Sequence, residues 1–369
     1  MSSKPTSAIN ESNVSGPVPG TTTAGASGPV EQLVWVKRRL NFQVLGVYIA
    51  LFVLCLVLKF LSPYFFTVQN VLNLFIAGST LSLIGAGLTV VLIAGEIDLS
   101  FGAMEAFIGS LAALIIINGG LPWPLGILCA LAAGVAAGTI SGLVTVLARL
   151  PSFITTLAMM GIVQGVAYLL TNGEPVAGFS NAYQEIGTGK LGPFPLSLAI
   201  VAVCYIALHV LLHRTALGLK IHAVGGNRAA AIAVGIKWRR IVVFVLALSA
   251  FMASVSAIVI TSRLNAGSGS YGAEDLLPAV AGVIIGGTSL TGGVGSLVGT
   301  FGGVMIVVTI NDGLTILNVS QFWQQVAVGL IIMVAVLIDQ GARGLLRARR
   351  PRQAVSLASL LSRKTMPSR

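Results

Sequence analysis

A chain of 369 residues with 55% hydrophobic side chains, 9% charged residues and a mean hydropathy of +0.94 has too little polar surface to cover a water-soluble globule, since soluble domains carry about 25% charged residues. Apolar runs of about 20 residues recur along it, the length a helix needs to cross about 30 Å of hydrocarbon. The net charge of +11 gathers at the ends of those runs and in one set of loops, which excludes nucleic acid as the partner and reads as a membrane-orientation signal.

Residues 1–36, rich in Ser, Thr, Gly and Pro, hold little that offsets the entropy of ordering them and are expected to form a disordered cytoplasmic tail. No basic start followed closely by an apolar stretch precedes Lys37, Arg38 and Arg39, so the first span is expected to be retained, not cleaved. A transmembrane domain then covers 37–342, and 343–369 is expected to be a basic cytoplasmic tail. Candidate spans fall at 42–61, 71–94, 100–118, 124–148, 152–171, 196–212, 241–261, 276–290, 296–310 and 322–339. The fold class is therefore all-α, a polytopic bundle of about ten spans. The segments 276–290 and 296–310 are short and glycine-rich, as half-helices meeting within the membrane would be.

With ten spans, 19 of the 22 Lys and Arg lie on one side, and only Lys59, Lys190 and Arg263 lie on the other. That bias places both termini and the 213–240 loop in the cytoplasm. Gly134, Gly138 and Gly142 recur at four-residue spacing on one helix face, where close helix packing is expected, because helices in lipid associate through small residues. Cys55, Cys129 and Cys204 lie inside apolar runs without a metal or disulfide spacing, and the three histidines form no metal motif. No catalytic, cofactor or metal residue is assigned.

The first polar break, Ile93 to Gly102, carries Glu96, Asp98 and Ser100, with Glu105 just inside the next run. Ionisable groups at membrane depth need a partner, a cavity or water. Asp98 and Ser100 have a second reading, as caps of the following helix. A stretch of the same outline, Ile284 to Gly293 with Ser289 and Thr291, lies at a constant offset of 191. An internal duplication would make the two breaks equivalent, and interrupted helices in matching halves of a transporter line substrate routes. Asn73, Thr89, Gln164 and Ser289 are further candidates for the path, with interhelical hydrogen bonding as the alternative for each.

In the basic loop 213–240, Gly225, Gly226 and Asn227 mark a turn, and Arg228 to Gly235 reads as a short helix with a glycine stop. It is either a docking element for a soluble partner or an orientation loop that holds charge inside. The loop 172–195 on the other side is either a solvated linker or a contact for an outside delivery protein. Asp312, at a span end, has no assigned role.

Four stretches in order, AGEIDLSFG (94–102), LPSFITTLAMMGIVQGVAYLLTNG (150–173), TALGLKIHAVGGNRAAAIAVGI (215–236) and the run from Ala281 to Leu317, resemble the permease subunit of bacterial ribose-type ABC sugar importers. The likeness covers about residues 40–340. It implies a multi-pass subunit of the bacterial inner membrane that translocates a sugar or related polyol by alternating access. The implied partners are an ABC ATPase with two fused nucleotide-binding domains, a periplasmic or lipid-anchored sugar-binding protein and a second permease copy or paralogue. The resemblance also assigns Gly225, Gly226, Asn227, Ala230 and Gly235 to the segment that couples to the ATPase. No GxxxxGK[ST] motif occurs in the chain, in keeping with ATP and Mg being held by the partner. Family members often read GGIDLSVGS where this chain has AGEIDLSFGAME, so Glu96, Phe101 and Glu105 are its local departures. The rival expectations are a proton-coupled secondary transporter using Glu96, Asp98 or Glu105, and a non-transporting scaffold or receptor.

Overall fold

In a computed structural model of the chain, residues 29–348 are described, with side chains from 44 to 334 and at 337. Two units separate, Met1–Arg39 and Leu40–Arg369, and the first is described only from Pro29 onward. Of the expected tails 1–36 and 343–369, residues 1–28 and 349–369 lie outside the described residues, and 343–348 continue the last helix, which ends at Ala348. Residues 29–36, assigned above to the tail, instead open the first helix, with Pro29 at its first position and no Gly or Pro in 30–36.

The long elements are all helices. In order they are α1 (Pro29–Leu61), α2 (Val68–Ile93), α3 (Phe101–Ala113) running on into a π-helical turn (Leu114–Asn118), α4 (Trp123–Leu147) and α5 (Ser152–Thr171). A connection follows with β1 (Val176–Ala177), α6 (Asn181–Thr188), β2 (Lys190–Leu191) and β3 (Phe194–Pro195). Then come α7 (Leu196–Arg214), α8 (Ala216–Gly226), α9 (Arg228–Ala233), α10 (Trp238–Leu264), β4 (Ala266–Gly267), α11 (Leu276–Ile285), α12 (Leu297–Ile316) and α13 (Gln321–Ala348). Each of the ten expected spans has its helix. Among the described residues eight are long and apolar enough to cross a membrane, while α11 and the Gln321–Val334 part of α13 are shorter apolar stretches.

Side-chain size sorts the helices into inner and outer positions. In α2, 89% of the spanning window is buried, against 11% in α1. The difference follows composition: α2 carries Gly78, Gly85 and Gly87, which let α10 and α12 approach its backbone, whereas α1 turns Phe52 and Phe60 outward. The expected glycine face of α4 packs on α10. A Cβ on Gly142 would stand 2.7 Å from the Val243 Cα, and one on Gly138 would stand 2.7 Å from the Leu246 carbonyl oxygen.

Of the two expected half-helices only one is short. α12 is a full 20-residue helix. α11 has 10 residues, and the chain reaches it along α3, with Gly272 at φ +73° so close to Gly102 that a side chain would strike its carbonyl.

The 172–195 connection is folded rather than a solvated linker. β1 pairs antiparallel with β4, with Val176 opposite Gly267. Tyr183 of α6 is buried, stacks on Phe179 with ring centroids 4.1 Å apart, and shares a 2.7 Å hydrogen bond with the Thr261 hydroxyl. The Gly187 N–H donates to Ser262 Oγ at 2.7 Å, which ties the end of α6 to α10. Burial pushes the Tyr183 phenol up from its ordinary pKa, outweighing the Thr261 hydrogen bond.

Candidate functional site

The two polar breaks are built alike. α2 ends with the Gly95 N–H on the Leu92 carbonyl (2.9 Å) and the Glu96 N–H on the Val91 carbonyl (3.2 Å). α11 ends with the Gly287 N–H on Ile284 (2.9 Å) and the Thr288 N–H on Val283 (3.2 Å). Gly95 and Gly287 both take left-handed backbone, φ +77° and +87°, as a glycine-terminated helix requires. Beyond each stop a side-chain oxygen accepts the backbone N–H two residues on. Asp98 Oδ1 accepts from Ser100 at 2.8 Å, and Ser289 Oγ accepts from Thr291 at 3.2 Å. The hydroxyl two residues on closes the same turn, Ser100 Oγ donating to Asp98 at 2.7 Å and Thr291 Oγ1 lying 2.9 Å from Ser289 Oγ. The turns keep the offset of 191 seen in the sequence and the helix ends differ from it by one residue, which supports the duplication. Ser100 makes no cap hydrogen bond to α3, so the capping reading survives only as the Asp98 turn that holds the Ser100 N–H.

These breaks meet in space, with the basic loop between them. The Gly293 N–H donates to the Ile93 carbonyl at 2.8 Å, and a Cβ on Gly292 would lie 2.8 Å from the Gly95 Cα. Gly225, at the end of α8, is wedged against both: its Cβ would lie 2.8 Å from the Gly293 nitrogen and 2.8 Å from the Ala94 carbonyl carbon. The α8 helix runs through Gly225 and Gly226, so the expected turn falls one step later, at Asn227. Asn227 Oδ1 accepts the Ala230 N–H at 3.0 Å and caps α9, and Gly235 at φ +81° follows its end.

One charge pair completes the junction. Arg228, the first residue of α9, forms an ion pair with the buried Glu96, and its guanidinium lies 4.8 Å from the centroid of the Trp238 ring. Around it Ile232 of α9 (49% exposed) and Val234 just after it (76% exposed) face outward, while Ala231 is buried as the anchor of α9. A short, capped helix with an exposed apolar edge and a basic surround is suited to docking. Ala230 lies exposed on the same helix.

Of the expected path residues, Glu96, Asp98, Ser100, Ser289 and Thr291 therefore gather beside the α8–α9 segment. Glu105 is buried one turn into α3, accepts from Ser256 Oγ at 2.7 Å and has the Asp275 carboxyl beside it. Gln164 of α5 donates to the Gly269 carbonyl and holds the chain ahead of α11. Thr89 makes a 2.6 Å hydrogen bond to Thr300, joining α2 to α12. Asn73 stands apart. With Gln69, Lys190, Arg263, Asp275, Asn311 and Asp312 it lines a cavity of about 800 Å³ on the face that carries α6, away from the junction. Asn70 donates to Asp312 at 2.8 Å and so orients one wall.

Sequence reasoning did not find Arg228 as the partner of Glu96, because 132 positions separate them. It also passed over Arg263 and Asn311. The available signal was their place as polar interruptions near the C-terminal ends of α10 and α12, which lie beside Asn73 near the N-terminal end of α2, a coincidence that only helix order reveals.

The family model for the permease component of branched-chain amino acid transport systems matches residues 70–337. The ribose import permease protein RbsC of Bacillus subtilis is 37% identical over 316 residues, covering 84% of this chain and 98% of its own length. The Escherichia coli K12 RbsC is 36% identical, covering 79% and 92%. The xylose transport system permease protein XylH of Escherichia coli K12 is 30% identical, covering 90% and 98%. No solved structure matches the chain. The agreement runs through both helix breaks and the segment between them, and the chain belongs to this family of multi-pass permease components of ABC importers.

Proposed function

We propose that this chain is the membrane-spanning subunit of an ATP-driven importer that moves a pentose or related polyol into the bacterial cytoplasm, with both termini and the α8–α9 segment on the cytoplasmic side. The similarity to ribose and xylose permeases supports the cargo class, and the basic residues of 213–240 support the orientation. The observation that carries the mechanism is the Gly225 junction: the end of α8, directly ahead of the docking helix α9, bears on both helix breaks.

The partner reading is an ATPase with two fused nucleotide-binding domains, which holds ATP and Mg and seats α9, together with a second permease copy or paralogue and a sugar-binding protein on the opposite face. Closure of the ATPase displaces α9. Because Gly225 leaves no slack against Ile93, Ala94 and Gly293, that displacement passes to the ends of α2 and α11. The loaded binding protein must prefer one of the two permease states, since a ligand shifts an equilibrium only by its differential affinity. A proton relay through Glu96, Asp98 or Glu105 is disfavoured by the likeness to ABC importer permeases, and Glu96 is engaged with Arg228, Asp98 with Ser100 and Glu105 with Ser256.

Reconstitution of the permease with its ATPase and binding protein in proteoliposomes tests this. Uptake of D-ribose, D-xylose or L-arabinose that requires ATP is expected. Uptake driven by a proton gradient with no ATPase present would overturn it.

A further inference from the structure

Among the described spans α1 is the one least covered by the rest of the fold, with 11% of its spanning window buried. Along it runs a groove of about 750 Å³, lined by Tyr48, Leu51, Phe52, Cys55 and Leu56, by Lys59 of its last turn, and by Phe66 of the turn into α2. The spacing of three and four residues puts the α1 positions on one helix face. Both ends of the groove are held from outside it. The Tyr48 hydroxyl donates to the Val298 carbonyl of α12 at 3.0 Å, and the Phe66 ring packs edge-on against the buried Phe65, with centroids 5.0 Å apart. The groove is therefore preformed, as small-molecule sites are.

Its length and charge select the occupant. From Tyr48 to Lys59 the helix rises about 16 Å at 1.5 Å per residue, close to half of the roughly 30 Å hydrocarbon core. That is the reach of an acyl chain in one leaflet, whereas a spanning helix would need a groove about twice as long. Lys59 is exposed and makes no hydrogen bond or ion pair among the described residues. Exposed Phe60, Tyr64 and Phe66 surround it, the aromatic setting of the lipid headgroup level. There the lysine stem follows the apolar surface and its ammonium reaches the headgroups, where the anion available is a phosphate. A twofold contact with a second copy through this face would set Lys59 against Lys59, and 44–66 contains no Asp or Glu to offset them.

We propose that this groove binds one anionic glycerophospholipid, its acyl chain lying between Phe66 and Tyr48 and its phosphate on Lys59. The leaflet is the one on the side of α6, because Gln69, at the start of α2 just after the turn, lines the cavity there together with Lys190. The lipid covers the exposed side of α1 where the protein does not. The proposal goes beyond the transport reading and needs only that α1 crosses the bilayer.

The test places a fluorophore in the groove. The full chain carrying Phe52→Trp is put into phosphatidylcholine nanodiscs with increasing fractions of phosphatidylglycerol or phosphatidylcholine whose acyl chains are brominated. Quenching is read as the difference from the unsubstituted chain, which has four tryptophans of its own. Brominated phosphatidylglycerol is expected to reach half-maximal quenching at a mole fraction about threefold lower than brominated phosphatidylcholine, the scale of one exposed ion pair. Adding Lys59→Gln should make the two lipids equal, and Lys59→Glu should put phosphatidylglycerol behind. Leu128→Trp, near the start of α4 and 62% exposed, is the control and should show no preference. Equal quenching by the two lipids at position 52, a preference that survives Lys59→Gln, or the same preference at position 128 would overturn the site. Absence of quenching by either lipid at position 52 would also overturn it, because a second copy or another protein would then cover the groove.

Discussion

Glu96 and Arg228, 132 positions apart, form an ion pair that ties the break after α2 to the first residue of the short helix α9. Glu96 is buried, and Arg228 is 41% exposed and stacked on Trp238, so the pair has one dry end and one wet end. That asymmetry makes Glu96 the costlier partner to leave alone, because an unpaired charge with little access to water loses most of its solvation.

Reversing one charge should separate coupling from folding. In Glu96→Arg, uptake per ATP hydrolysed is expected to fall about tenfold, and the double variant Glu96→Arg with Arg228→Glu should recover most of it. The measurement is the ratio of sugar uptake to phosphate release in the reconstituted complex. Equal ratios in wild type and the single variant would remove the pair from the coupling route.

Two neighbouring glycines should respond differently to the same change. A methyl group at Gly225 meets backbone on two sides, whereas nothing lies within 4 Å of the position it would take at Gly226. Gly225→Ala is expected to cost about 1–3 kcal/mol through overpacking, and Gly226→Ala should be neutral or slightly stabilising, since it also lowers the entropy of the unfolded chain. Thermal unfolding of the two purified variants in lipid nanodiscs compares them.

Loss of the α9 cap should weaken docking without loss of the protein. Asn227→Ala removes the acceptor for the Ala230 N–H and should destabilise α9 by about 1 kcal/mol. Asn227→Asp keeps the acceptor. The first variant is expected to bind the ATPase several-fold more weakly by titration, and the second should bind near the wild-type level.

The Tyr183 phenol gives a pH-dependent signature on the other face. Its pKa is raised in the fold, so the folded protein holds that proton more tightly than the unfolded chain does. The stability this contributes is complete below the unfolded value of about 10 and is lost as pH rises above it. Tyr183→Phe loses the hydrogen bond to Thr261 and should be less stable by about 1 kcal/mol at pH 7. The deficit should shrink as the pH passes 10, where only the tyrosine form loses stability. Parallel midpoints from pH 7 to 11 would contradict the assignment.

Much of the molecule was legible without coordinates, for reasons that lie in local physics. A span announces itself by length and hydropathy, so all ten helices were found, and Gly235 marked the end of α9 because a left-handed residue favours glycine. The likeness between 93–102 and 284–293 was visible as shared residue types, and the structure resolves it into the same glycine stop and the same side-chain turn. Boundaries were less legible. The length of α12 was underestimated because Asn311 and Asp312 interrupt its hydropathy, although a helix continues through polar residues that find partners, as Asp312 does with Asn70.

By itself the sequence determined the spans, their orientation signal, the short helix after Asn227 and the paired breaks, because each depends on residues adjacent in the chain or on composition. Only the tertiary structure decided that both breaks press on Gly225, that Glu96 belongs to Arg228, and that Asn73 faces Arg263 and Asn311 across a cavity. Those relationships are set by which helices are neighbours and how they are turned. In lipid, that choice follows from close fit between small side chains on different helices, which no single stretch of sequence contains.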